Sequence, residues 1–261
     1  MKIHRIYAVS LRFWYYFRHS FDRMTDAFYW PTMDLLLWGL TSTYFRQYIP
    51  NNANVVTMIV TGILLYIILW RGQYEITVNL LGDLWNRNLI NIFASPLKFW
   101  EWITSFMVIG IIKAILSIAF ASGVAYLLYK VNFFMYGFNL IPFLILLIMS
   151  GWWIGFFVAG VILRFGTKVQ TLAWAFVAIF SPFIAVYYPL SVLPAWAQKV
   201  ASFIPMSYIF EGAREVLYKG SLDYRKLWIS LFLNIMYLII SLIFLRKSFD
   251  KVLEKGLVKV Y

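Results

Sequence analysis

Asp34 and Lys113 are ionisable side chains set inside long apolar runs of this 261-residue sequence. A charge at that depth in hydrocarbon is costly, so each needs a partner or a task. Two readings stay open: the two pair and fix helix packing, or they form a polar patch on a translocation path. A second group, Glu75, Asn79, Asp83, Asn86 and Arg87, recurs at spacings that a helix gathers on one side. Ile76, Leu80, Leu81, Leu84 and Trp85 would form the apolar side of the same helix, leaving the polar side for a partner or for solvent. Covalent chemistry finds no constellation here. There is no cysteine, the only histidines are His4 and His19, and most carboxylates fall in loops, so no metal site and no catalytic residue is expected. No G-x-x-x-x-G-K-[ST] phosphate loop occurs, and "FGTK" at 165–168 reads as a short turn.

The elements that must position these groups are membrane helices. The chain is 62% hydrophobic and 13% charged, too apolar for a soluble protein of this length. Twelve tryptophans fit side chains anchored at two membrane interfaces. The net charge of +12 is then an excess of Lys and Arg on cytoplasmic loops and an attraction to anionic lipid heads, not a nucleic-acid footprint. The first 29 residues hold five Lys/Arg without an uninterrupted apolar core, which does not read as a secretory signal.

Residues 4–24 place Ile6, Val9, Phe13, Tyr16, Phe17 and Phe21 at helical spacing among Arg5, Arg12, Arg18 and Arg23. The pattern predicts a basic, aromatic amphipathic helix within 1–27, lying in the interface, or else an extra helix packed on the bundle. Six apolar runs follow, at about 28–45, 54–71, 103–128, 139–163, 169–187 and 227–245. With both termini inside, cytoplasmic segments hold fifteen Lys/Arg and external ones seven, which supports six transmembrane helices. "YYPLSVLPAWAQKVASFIPMSY" at 187–208 is long enough for a seventh, but it carries Pro189, Pro194, Lys199 and Pro205. A seventh span would also put the basic tail 246–259 outside. A re-entrant helical hairpin at 188–210, its halves ended by prolines, satisfies both constraints. Tyr187, Tyr188, Trp196, Phe203 and Tyr208 either line an external exit or form an aromatic belt. Gly151 and Gly155 in "GWWIG", and Ser117, Ala121 and Ala125, are small residues four apart that allow close helix approach within the chain.

Three stretches, taken in order, resemble the ABC-2 type permeases, membrane subunits of exporters of polysaccharides, teichoic acids, lipids and drugs. The first is the amphipathic N-terminal helix leading into a span with an early proline, Pro31. The second is "RNLINIFASPL" at 87–97, similar to the family's cytoplasmic Arg, apolar, small, Pro pattern, with Ile90 and Asn91 where many relatives carry an acidic residue or Gly-Thr. The third is "SPFIAVYYPLSVLPAWAQKVASFIPMSYIFEGAR" at 181–214, similar to the family's fifth-span end, its Leu-Pro-x-Trp and its Arg-bearing helix.

The resemblance implies a single all-α permease domain over 1–261, multi-pass in the plasma or inner membrane, with cytoplasmic termini. It implies a homodimer of this chain with two copies of a separate ATPase, ATP and Mg sitting on that partner and no cofactor in this chain. The path would lie between the two permeases, lined by the first, second and fifth spans. Residues 75–95 would be the coupling segment, with Glu75, Asn79, Asp83, Asn86 and Arg87 facing the ATPase. Tyr187, Tyr188, Pro189, Pro194, Trp196 and Pro205 would shape the external gate. Aromatic spans with few polar residues favour a lipid-like or amphipathic cargo over a long glycan. Two rivals are a non-transporting membrane anchor and an ion-driven transporter, the latter poorly served by Asp34 alone.

Overall fold

The structure is a computed structural model that describes residues 1–48 and 55–255. The start of the second expected span, residue 54, and the end of the basic tail, from residue 256, lie outside the described residues. The chain is helical: α1 Ile3–His19, α2 Phe21–Arg46, α3 Val55–Trp85, α4 Leu89–Ala94, α5 Phe99–Tyr129, α6 Leu140–Phe165, α7 Leu172–Phe180, α8 Ala195–Ala201, α9 Pro205–Lys219 and α10 Tyr224–Lys255. No strand occurs among the described residues.

Among the described residues, four helical stretches are long and apolar enough to cross a membrane: α3, α5, α6 with its flanking turns, and α10. α2 is long enough at 26 residues, but Asp22, Arg23, Asp26, Asp34 and Arg46 lower its hydropathy. The expected fifth span, 169–187, is not one helix. Its regular part is the nine residues of α7, and Ser181–Tyr188 continues as turns. Pro182 is the reason, since it lacks the amide that would bond to the Ala178 carbonyl. Ser181 takes that acceptor instead, through its hydroxyl at 2.7 Å. The broken segment still rises beside α3. Ala173 bonds to Gln73 and Thr77, and the Val186 backbone lies against Gly62, about 17 Å further along α3.

α3 is the central element, buried almost all round and packed against α2, α5, α6 and α7. Small residues permit the α3–α6 contact. A Cβ on Gly151 would stand 2.6 Å from the Leu69 carbonyl oxygen and 2.7 Å from the Gly72 Cα. The GxxxG pattern therefore serves packing within the chain. α10 covers α6 and presents Ser230, Asn234, Ser241, Leu245 and Ser248 inward at helical spacing. Its polar residues are each satisfied: Ser150 donates to Asn234 Oδ1 at 2.8 Å, Ser230 to the Pro205 carbonyl at 2.9 Å, and Arg164 to Ser248 at 2.8 Å. Interhelical hydrogen bonds of this kind are the glue available where solvent offers no hydrophobic drive.

The N-terminal helix α1 packs on α5 and α2. Phe13 meets Phe106 edge-on at 5.2 Å, Ser105 donates to the Ile6 carbonyl, and the Lys113 ammonium lies 4.9 Å over the Phe17 ring. Ser20 then separates α1 from α2 and caps α2, accepting from the Arg23 amide.

Candidate functional site

Four of the carboxylates on α2, α3 and α5 (Asp26, Glu75, Asp83 and Glu101) each have a cation. Glu75 accepts from Lys113 Nζ at 2.6 Å and from Arg71 at 3.3 Å. Arg71 also holds the Asp26 carboxylate at 3.1 Å and donates to the Asp26 carbonyl at 2.6 Å. Asn79 links the group onward, donating to Glu75 and accepting from Arg23 at 2.8 Å. Asp83 accepts from Arg12 at 2.9 Å and from the Trp102 indole at 3.3 Å. Glu101 caps α5, taking the Lys98 amide at 3.0 Å, and is paired with Arg5. Buried charges survive only when matched and hydrogen-bonded, and here the matching residues come from four different helices.

This arrangement corrects two expectations. Lys113 does not pair with Asp34; its carboxylate is Glu75. Ala27 lies level with Ser117, which puts Asp34 roughly 10 Å further along α2, whereas Lys113 is one turn back along α5. Nor do Glu75, Asn79 and Asp83 form an outward polar face. α3 does not stop at Arg71 but runs on to Trp85, and the three are buried, covered by Arg12, Arg23 and Lys113. The signals that could have placed them were the Arg71/Glu75 spacing of four and the arginines of α1.

Asn86 and Arg87 are exposed, at the turn where α3 ends. The turn is a Schellman motif: the Asn88 amide bonds to the Asp83 carbonyl at 2.8 Å and the Arg87 amide to the Leu84 carbonyl at 2.9 Å. Arg87 occupies the left-handed position, φ 50°, that glycine usually fills. From there Ile90, Asn91 and Ala94–Pro96 are also exposed, so the connection from Asn86 to Pro96 caps this end of the bundle.

Asp34 opens onto a cavity of about 300 Å³ between α2, α3 and α7. Trp30, Tyr66, Trp70, Trp174 and Tyr187 line it with Asp34. Of these aromatics the sequence marks only Tyr187, because lipid-facing and cavity-facing rings share one pattern. Tyr187 stacks on Trp38 with centroids 4.4 Å apart, and Trp70 on Tyr74 at 4.5 Å. Each ring therefore has one face fixed by a neighbour.

The stretch after Val186 is held by Arg214, the arginine that closes the 181–214 stretch. Arg214 donates to the Ala185 carbonyl at 2.7 Å and pairs with Glu211 at 2.7 Å, and Glu211 accepts the Leu190 amide at 2.7 Å. The prolines begin helical pieces rather than ending them. Pro189 and Pro194 precede the first turns of a 3-10 turn and of α8, and Pro205 is the first residue of α9. A missing amide is harmless at that position because the first amides of a helix have no internal partner. Tyr188 donates to the Pro182 carbonyl, Trp196 and Phe203 are exposed, and Tyr208 donates to the Ser202 carbonyl.

A bundle that is all-helical among the described residues, with four helices there able to cross a membrane, a matched network of buried charges and a cavity halfway along its central helix, has the build of a polytopic membrane transport protein. The family model described as ABC-2 family transporter protein matches residues 39–246, and the chain belongs to that family. Permeases of this family are the membrane component of a transporter and normally work with an ATPase subunit. No curated protein matches the chain.

Proposed function

We propose that the chain is the permease of an ATP-driven exporter. It would move a lipid-like or amphipathic cargo from the cytoplasm or inner leaflet, as a homodimer with two copies of a separate ATPase that carries the ATP and Mg. In this reading the chain crosses the plasma or inner membrane six times with both termini inside. α2 and the broken 169–187 segment serve as first and fifth spans, and 188–210 enters and leaves on the external side. The observation that carries the proposal is the continuity of α3. One unbroken helix, about 46 Å long, bears at its end the Asn86–Pro96 connection with its exposed Asn86, Arg87, Ile90 and Asn91, and near its middle the wall of the Asp34 cavity. A push on the turn by a partner is thereby delivered to the cavity without a flexible joint.

The absence of cysteine makes the test clean, since Arg87→Cys introduces the sole thiol. With the ATPase coexpressed and bearing single cysteines on its surface, Arg87→Cys is expected to crosslink to it. The reconstituted complex is expected to hydrolyse ATP at a rate that depends on the permease. An ATPase that never copurifies, or whose turnover ignores the permease, overturns the proposal.

A further inference from the structure

Asp34 is the exception among the carboxylates that the bundle draws away from solvent. Asp26, Glu75, Asp83, Glu101 and Glu211 each have a cation from this chain, whereas among the described residues Asp34 pairs with none and accepts no hydrogen bond. It is half-buried, beside residues near the centre of the longest buried helix, and the space before it is open rather than filled. A carboxylate at such a depth normally finds a protein cation or marks a site. The lining around it is aromatic, with Trp30, Tyr66, Trp70, Trp174 and Tyr187, and ring faces attract cations electrostatically. Hard metal ions are a poor fit, because they need several oxygen ligands and one carboxylate supplies too few. An anion is repelled, and a neutral apolar guest leaves the carboxylate unmatched.

We propose that this cavity binds the cationic head of an amphipathic organic cation, with Asp34 as the counter-ion and the surrounding rings as the cage. Its volume of about 300 Å³ is at the small end of ligand pockets, enough for a head with its tail directed outward. The inference rests on the permease reading insofar as it makes such cations the cargo; binding itself needs no ATPase.

The test uses the full-length permease alone, in nanodiscs of zwitterionic lipid, titrated with tetraphenylphosphonium and followed by tryptophan fluorescence. Tetraphenylborate, of the same shape and opposite charge, is the control for partition into lipid. Saturable binding of the cation only is expected. Asp34→Asn should weaken it about tenfold or more, Asp34→Glu should largely retain it, and Trp174→Ala, on the exposed rim, should weaken it several-fold. Thermal melting of each variant guards against loss of fold, and Asp34→Glu keeps the test decisive should Asp34→Asn be unstable. Equal binding by Asp34→Asn and the parent, or equal saturable binding of tetraphenylborate, overturns the inference. That outcome leaves the permease reading standing if the ATPase still couples, and failed coupling with intact cation binding separates the two the other way.

Discussion

Ser117 donates its hydroxyl to the carbonyl of Ala27 at 2.9 Å, and Ala27 is the residue four before Pro31. A proline has no amide to offer that carbonyl, so α2 alone would leave it unpaired. In a membrane such a group has no water to turn to, and α5 supplies the missing donor from its row of small residues. Ser117→Ala should therefore lower stability by about 1 kcal/mol, the order found for interhelical hydrogen bonds in membranes. Pro31→Ala in the same chain should recover most of that loss by restoring the helix's own bond. Unfolding in mixed detergent micelles reads both, and equal losses with and without Pro31 would dissolve the link between the two residues.

Gly151 and Gly123 make a matched pair. A Cβ on Gly151 meets the α3 backbone at 2.6 Å, whereas one on Gly123 meets nothing within 4 Å. Gly151→Ala must push α3 and α6 apart, at a cost of about 1–3 kcal/mol. Gly123→Ala, in mid-helix and in open space, should be neutral or stabilise by up to about 1 kcal/mol. Melting temperatures of the two variants in one detergent give the comparison directly.

The sequence made some of this readable and hid the rest, for physical reasons. Apolar runs mark α3, α5, α6 and α10 because length and hydropathy suffice for a long lipid-exposed or core helix. Gly151 and Gly155 read as packing residues because only small side chains let backbones approach. The end of α3 was misjudged because Arg71 looks like a boundary, and nothing local says that Asp26 and Glu75 will neutralise it from within the bundle. The break after Phe180 was hidden for a related reason: an apolar run carries no period to interrupt, and Pro182 is its only mark. Asp34 was visible as an oddity from the start. Its cavity was not, since five aromatics from three separate segments close it.

The Glu75–Lys113 pair should behave as a unit. Lys113→Met leaves Glu75 with Arg71 alone, which Asp26 already shares, and breaking a buried pair costs about 3–5 kcal/mol. Glu75→Gln with Lys113→Met removes both charges, and the double variant should be more stable than Lys113→Met alone. Additive losses in the double-mutant cycle would mean the two side chains do not depend on one another.

Arg87 carries two separable properties, its charge and its left-handed backbone. Arg87→Gly removes the charge while relieving a conformation that costs a non-glycine residue about 1 kcal/mol, so the permease should melt slightly higher. Arg87→Glu keeps the strain and reverses the charge. If the exposed turn meets an ATPase through this side chain, both variants uncouple hydrolysis from transport in vesicles, and Arg87→Glu does so more. Coupling equal to the parent in both would remove Arg87 from the contact while leaving the fold of the turn as described.

Arg214 fixes the path of the chain past the cavity. Its guanidinium holds the carbonyl of Ala185, a residue at φ 60°, and its partner Glu211 holds the Leu190 amide, so two hydrogen bonds from α9 bracket Tyr187. Arg214→Gln cannot reach both the carbonyl and Glu211, and it leaves Glu211 unmatched at a site where its side chain is only 20% exposed. Amide hydrogen exchange at 185–192 should then quicken, while α6 and α10, held by their own serine and asparagine contacts, keep their protection. Ala185→Gly should act in the opposite direction on stability, gaining up to about 1 kcal/mol by easing the left-handed residue. If the bracket is what positions Tyr187, the Trp38–Tyr187 stack loosens in Arg214→Gln and the tryptophan emission shifts to the red. In Ala185→Gly the emission stays where it was. A quickened exchange without the shift would mean that Tyr187 is held by Trp38 alone, and that the bracket shapes only the loop beyond it.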